Sequence, residues 1–169
     1  MQLLLIRHAA AEDAETFADQ GGSDAERPLT ELGRKRMRKG ANRLRSQLEA
    51  ITILACSPLR RARETAEIIA RAFGDIPLVE RQDLAPDSEF ESLLDWLRQS
   101  SAESALALVG HAPHLNRLAG LLLAGEPRPL LDLKKGGVAL LEFSKAVAPG
   151  AGTLRWLLTP AQLRSLKEG

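Results

Sequence analysis

The sequence predicts an α/β domain, a three-layer α/β/α sandwich around a mostly parallel central sheet. Three observations carry this expectation. Strand-like apolar runs alternate with amphipathic helical stretches along the chain, as when helices cross over between parallel strands. Two of the runs, Leu3-Leu4-Leu5-Ile6 and Ala105-Leu106-Ala107-Leu108-Val109, are short and have no helical stripe. That is how strands buried on both faces read. Both runs end abruptly in a polar pair, Arg7-His8 and Gly110-His111, and the crevice beyond the carboxyl ends of such strands is where ligands bind.

The elements follow in order. Leu3 to Ile6 is the first strand. Residues 10–28 are polar, contain Gly21-Gly22 and read as a long mobile loop; loops of that length are usually functional or disordered. Thr30 caps the first helix, with Glu31 at its positive end, and Met37, Ala41, Leu44 and Leu48 form its apolar stripe. Residues 51–55 make a second strand. Ser57-Pro58 then supplies a cap and a first-position proline for the next helix, whose buried stripe is Ala62, Ala66, Ile69 and Phe73. Residues 76–79 form a short strand. Ser88 with Glu91 makes a capping box for a helix carrying Phe90, Leu93, Leu94 and Leu97. A helix over residues 113–124 follows the 105–109 strand. Residues 138–143 and 153–158 are late strands, and Thr159-Pro160 opens a short helix. No repeat or linker divides residues 1–169, so one domain is expected.

Composition excludes several classes of function. The 169 residues are 44% apolar and 27% charged, with a formal charge of +1, which gives no global attraction to nucleic acid or an acidic membrane. The run Arg34-Lys35-Arg36-Met37-Arg38-Lys39 reads as the solvated face of a helix, because Met37 alone continues the buried stripe; docking of an acidic protein partner is a secondary reading. No apolar stretch approaches the roughly 20 residues of a membrane span, and no secretory pattern opens the chain. Cys56, the single cysteine, cannot form an intrachain disulfide and reads as a small buried residue. Trp96 and Trp156 read as core. Three histidines without matched carboxylates do not make a metal site. A cytoplasmic protein without metal or cofactor is expected, and its oligomeric state is open.

Arg7-His8, the segment from Ser57 to Arg63, and His111 each follow a strand, and a parallel sheet projects all three from one edge. Phosphoryl chemistry needs fixed positive charge on the equatorial oxygens and an in-line nucleophile. Arginine grips phosphate bidentately and stays charged; neutral histidine attacks near pH 7. A second histidine, once protonated, pairs with the phosphate. Taken alone, Arg7-His8 is equally an ordinary polar end to a core strand. With Arg61 and His111 added, catalysis is the better reading. Ser57 reads as a cap whose hydroxyl lies near the phosphate, and His114 as a rim residue outside the chemistry.

These residues resemble the histidine phosphatase superfamily, which also includes the cofactor-dependent phosphoglycerate mutases. The resemblance rests on Leu5-Ile6-Arg7-His8-Ala9, on Ser57-Pro58-Leu59-Arg60-Arg61-Ala62-Arg63-Glu64-Thr65-Ala66 and on Val109-Gly110-His111. Arg27-Pro28-Leu29-Thr30-Glu31-Leu32-Gly33 and the compact length look like its SixA-type phosphohistidine phosphatase branch. The resemblance implies a phosphoglycerate-mutase-like fold and a phosphorylated intermediate on His8. Arg7, Arg61 and His111 would hold the phosphate, with Ser57 nearby. Arg61 is chosen because it precedes the alanine of the family's Arg-Ala-x-x-Thr pattern; Arg60 and Arg63 fall outside it. Ala9 stands where glycine is commonest, a small change that SixA-like members tolerate.

Mutases and many phosphomonoesterases of the superfamily carry a glutamate general acid after the third strand. Here that region, Asp83-Leu84-Ala85-Pro86-Asp87-Ser88-Glu89, holds no clear equivalent, though Asp83, Asp87 or Glu89 remain candidates. An alkoxide leaving group, with a conjugate-acid pKa of roughly 15, needs a proton donor; an imidazole, at about 6.5, needs far less. The expectation is therefore a phosphohistidine-bearing protein as substrate. The alternatives are a small phosphomonoester, with an acid from the 83–89 or 10–26 segment, and a non-catalytic phosphate-binding module.

Overall fold

The computed structural model of the protein describes residues 1–99 and 105–167. Its first strand, β1 (Gln2–Arg7), buries side chains on both faces: Leu3 and Leu5 enter one apolar cluster, Leu4 and Ile6 the other. A strand of that kind must lie inside a sheet. On one side of β1 lies β4 (Ala105–Gly110), parallel and paired from Gln2↔Ala105 to Arg7↔Gly110. Beyond it come β2 (Ile53–Cys56) and then β3 (Leu78–Glu80), both parallel. On the other side β5 (Val138–Glu142) runs antiparallel to β1, and β6 (Thr153–Leu158) antiparallel to β5. The order is β3-β2-β4-β1-β5-β6, a mixed sheet in which only β5 opposes its fellows.

The expected sandwich is present. Among the helices, α1 (Ala14–Asp19) belongs to the stretch expected as a loop. Asp13 caps it by accepting from the Thr16 N–H at 2.9 Å, and a 3-10 turn follows over Asp24–Glu26. The Asp13-x-x-Thr16 spacing is itself a cap signal, overlooked because the surrounding composition is polar. Helices α2 (Glu31–Leu44) and α3 (Arg60–Ala72) cover the face of Leu4 and Ile6. Helices α4 (Glu91–Arg98) and α5 (His114–Ala124) cover the opposite face, while α6 (Pro160–Ser165) adds Leu163 to the first.

Thr30 caps α2 through the Gly33 N–H, and Thr159 with Gln162 forms the capping box of α6. The other two expected caps fail. α3 begins at Arg60 behind an extended Leu59, because the Ser57 hydroxyl is engaged elsewhere. Ser88 bonds the Gln82 carbonyl at 3.0 Å instead of capping α4, since Asp87, at φ +62°, folds the chain back there. Trp96 and Trp156 are half-buried rather than core; the Arg81 guanidinium lies 4.4 Å from the Trp96 ring centroid. No helix among the described residues is long and apolar enough to cross a membrane.

Gly33 shows how closely the fold holds the strand end. A Cβ there would meet the Ala10 carbonyl oxygen at 2.2 Å. Gly33→Ala should therefore destabilise the protein by about 1–3 kcal/mol, against the roughly 1 kcal/mol that alanine ordinarily gains in a helix. A chemical denaturation midpoint lower than wild type is the expected result.

Candidate active site

The site is assembled by the pairing of β1 with β4. In-register parallel strands hold equivalent residues about 4.8 Å apart, so the residues just past Arg7↔Gly110 must be neighbours. They are His8 and His111, with ring centroids 5.1 Å apart. The His8 N–H donates to the Gly110 carbonyl at 3.0 Å, continuing the ladder one residue beyond the strand. The chain leaving β1 goes on to α2 against one face and that leaving β4 to α5 against the other, which opens a crevice between the two ends.

The His8 ring is held in a single tautomer and kept uncharged. Its Nδ1 lies 2.7 Å from the Ala9 carbonyl oxygen. A carbonyl can only accept, so the ring proton is on Nδ1 and Nε2 keeps its lone pair. Burial pushes the His8 pKa down to about 4; the Ala9 bond opposes this, while the charges of Arg61, Arg7 and Lys135 reinforce it. Burial, together with His8 and Arg61, brings His111 to about 3. Both rings are neutral at physiological pH.

Each partner is fixed from a different element. Arg7 donates from Nη1 to the Leu133 carbonyl at 2.9 Å, and the Leu133 N–H is held by buried Asn116 at 3.1 Å. Gly136 donates its N–H to the carbonyls of both Arg7 and His8 at φ +78°, a conformation that favours glycine. Arg61, in the first turn of α3 and buried, reaches the Asp24 carbonyl at 2.9 Å and the Asp24 carboxylate at 3.1 Å. The buried Thr65 hydroxyl accepts from the Ala9 N–H at 3.0 Å and donates to the Arg61 carbonyl at 2.7 Å. Ser57 Oγ stands 2.8 Å from His111 Nε2 and accepts from the Leu59 N–H, which explains why it does not cap a helix.

Arg7, His8, Arg61 and His111 thus line one cleft of about 610 Å³, and Ser57 lies behind His111. Arg7 Nε, Arg61 Nε and His111 Nδ1 are buried without a hydrogen-bond partner, against the strong tendency of buried polar atoms to be satisfied. The fourth such atom is Nδ1 of His114. That residue is buried, not at the rim as expected: its Nε2–H donates to the Ser88 carbonyl at 3.1 Å and its ring packs on Phe90. His114 tethers the 82–90 segment and does not line the cleft. Arg60 and Arg63 are occupied by Glu64 and Glu80.

Of the two segments expected to offer an acid, 83–89 and 10–26, the second supplies the carboxylates of the cleft. Asp83 is paired with Arg81, and neither Asp87 nor Glu89 lines the cleft; of that segment, Pro86 does. The carboxylates in the cleft are Glu12, Asp13 and Asp24, all from the 10–26 stretch. The Thr16 N–H and hydroxyl hold Asp13 below the usual carboxylate range. Burial tends to raise Asp24, but its bonds with Arg27 and Arg61 outweigh that and hold it low. The sequence reading used Thr65 only as part of the Arg61-Ala62-x-x-Thr65 pattern and gave it no role, and it missed Lys135, for which no local signal exists.

The profile of the histidine phosphatase superfamily (branch 1) matches residues 3–86. An uncharacterized protein of Picosynechococcus sp. (strain ATCC 27264 / PCC 7002 / PR-6) is 38% identical over 149 residues, covering 86% of this chain and 87% of that protein. The structure of the protein histidine phosphatase SixA complexed with tungstate superposes with a TM-score of 0.81 at 27% identity. That match covers 96% of this chain and 99% of the other. The chain belongs to the histidine phosphatase superfamily. It is of the SixA type and has the phosphoglycerate-mutase-like fold. A further relative, the 5''-phosphoribostamycin phosphatase of Niallia circulans, is 32% identical over 124 residues, 72% of this chain and 57% of that protein. The histidine phosphatase described here is accordingly a phosphatase that uses histidine-based catalysis.

Two outcomes follow from this geometry. Thr65→Val leaves the buried Ala9 N–H unpaired and should cost about 1–3 kcal/mol, with a larger fall in kcat than in KM. The second concerns pH. Both folded-state pKa values, about 4 for His8 and about 3 for His111, lie below the unfolded value of about 6.5. The unfolded chain therefore binds more protons, and the stability is full above pH 6.5 and is lost as pH falls toward 4 and 3. Thermal denaturation should show Tm declining across that window, with a shallower decline in His111→Asn.

Proposed function

We propose that this histidine phosphatase hydrolyses phosphohistidine on a partner protein and works in the cytoplasm. His8 Nε2 attacks phosphorus, the P–N bond to the partner's imidazole breaks, and that imidazole leaves with the electron pair. Water then attacks phospho-His8, the His8 ring recovers its electron pair, and inorganic phosphate departs. Arg7 and Arg61 neutralise the equatorial oxygens, and His111 takes a proton from solvent as the phosphoryl charge arrives beside it and then donates a hydrogen bond to an oxygen. The open cleft suits a phosphoryl group presented on a protein surface.

The observation that carries the choice of substrate is the state of the acids. Asp13 and Asp24 are hydrogen-bonded and held ionised, so neither supplies a proton near neutral pH. A departing imidazole, with a pKa of about 6.5, tolerates this; an alkoxide, at roughly 15, does not. A small phosphomonoester is the second reading, favoured by Glu12, which lines the cleft and whose carboxylate is unbonded among the described residues, and by the activity named for the Niallia relative.

The test is phosphate release from a histidine-phosphorylated phosphotransfer domain beside a panel of small phosphomonoesters. Release from the protein, abolished in His8→Ala and accompanied by acid-labile label on wild-type His8, is expected. Preference for an ester would overturn the reading. In that event Glu12→Gln should lower ester turnover by about a hundredfold. Phosphohistidine turnover should be unchanged in the same variant.

A further inference from the structure

Beside the catalytic cleft, between α2 and the start of α6, lies a groove of about 290 Å³. Buried Met37 and Leu163 lie at its base, and Ala10 and Pro160 also line it. Arg36, Lys134, Lys135 and Arg164 surround it, and no acidic residue lines it. In a chain with 23 basic and 22 acidic residues, that segregation is a local property of the surface. Lys134 is neutralised by Asp132, whereas Arg36, Lys135 and Arg164 make no ion pair among the described residues. Lys135 lines both the groove and the catalytic cleft, so the two are adjacent. Of the basic run on α2, Arg36 alone enters this groove; Arg34 and Arg38 face a second one that contains Glu64 and Glu67.

We propose that this groove docks the phosphoprotein substrate, receiving an acidic segment that flanks its phosphohistidine and seats one apolar side chain on Met37 and Leu163. The inference rests on the phosphohistidine reading above. Uncompensated cations at a rim draw carboxylates, raise the encounter rate and fix the orientation of docking, while the apolar floor takes the desolvated anchor. Lys135, at the junction, orients the docked chain so that its phosphoryl group faces His8. A small N–P donor such as phosphoramidate occupies the cleft and leaves the groove untouched.

The experiment compares wild type with the doubly reversed Arg36→Glu/Arg164→Glu enzyme on two substrates, a histidine-phosphorylated phosphotransfer domain and phosphoramidate. For the domain, KM should rise at least about tenfold with kcat unchanged, and its increase with ionic strength should disappear. Phosphoramidate turnover should stay at the wild-type level, which also shows that the variant is folded. Arg36→Lys/Arg164→Lys should restore the domain's KM. An unchanged KM for the domain in the reversed variant would overturn the docking site while leaving the phosphohistidine reading intact. Wild-type enzyme inert toward both N–P substrates would overturn that reading and the docking proposal with it.

Discussion

The structure depends first on the register between β1 and β4. Their parallel pairing, extended by the bond from the His8 N–H to Gly110, sets the separation of the two histidines. Because side chains alternate along a strand, a slip of one residue would carry His8 to the opposite face of the sheet. Both strands lie in the interior, with Leu3 to Ile6 and Leu106 to Val109 fully buried, and the two apolar layers that cover the sheet hold the pair in place. The core thereby sets the geometry of the reacting groups.

Around that pair the chain trades solvation for readiness. Two histidines are buried beside Arg7 and Arg61, an environment hostile to further positive charge. His8 is therefore uncharged without a neighbouring base, and its tautomer is set by the carbonyl of the next residue. A phosphoryl group brings the negative charge that this collection of cations lacks. The site is electrostatically preorganised for the arriving group, and much of the orientation comes from main-chain carbonyls at Leu133, Asp24 and Ala9.

The parts legible in the sequence were those governed by local rules. Continuous apolar runs revealed β1 and β4, the caps at Thr30 and Thr159 revealed α2 and α6, and strand ends pointed to Arg7, His8 and His111. Misreadings arose where a side chain had two possible partners. Ser57 and Ser88 have the spacing of caps, but tertiary contacts with His111 and Gln82 claim their hydroxyls. His114 looked like a rim residue because nothing local announces the carbonyl of Ser88 or the ring of Phe90. For the acids of the cleft the sequence offered the 10–26 stretch but not the individual residues, because only its folded path brings Asp24 to Arg61.

That contact between Asp24 and Arg61 has a bearing on turnover. An arginine site built to hold phosphate without competition would also retain the product. Here the guanidinium already shares its charge with a carboxylate, itself also held by Arg27. If Arg61 holds the phosphoryl group as proposed, each entering group would have to exchange with, or share, that internal anion, which would reduce its ground-state affinity. On the same proposal the reverse exchange would assist departure: as orthophosphate loosened, Asp24 would reoccupy the arginine and leave no bare cation behind. In that role the carboxylate would be a resident competitor, balancing the charge of the empty site and easing the emptying of the filled one.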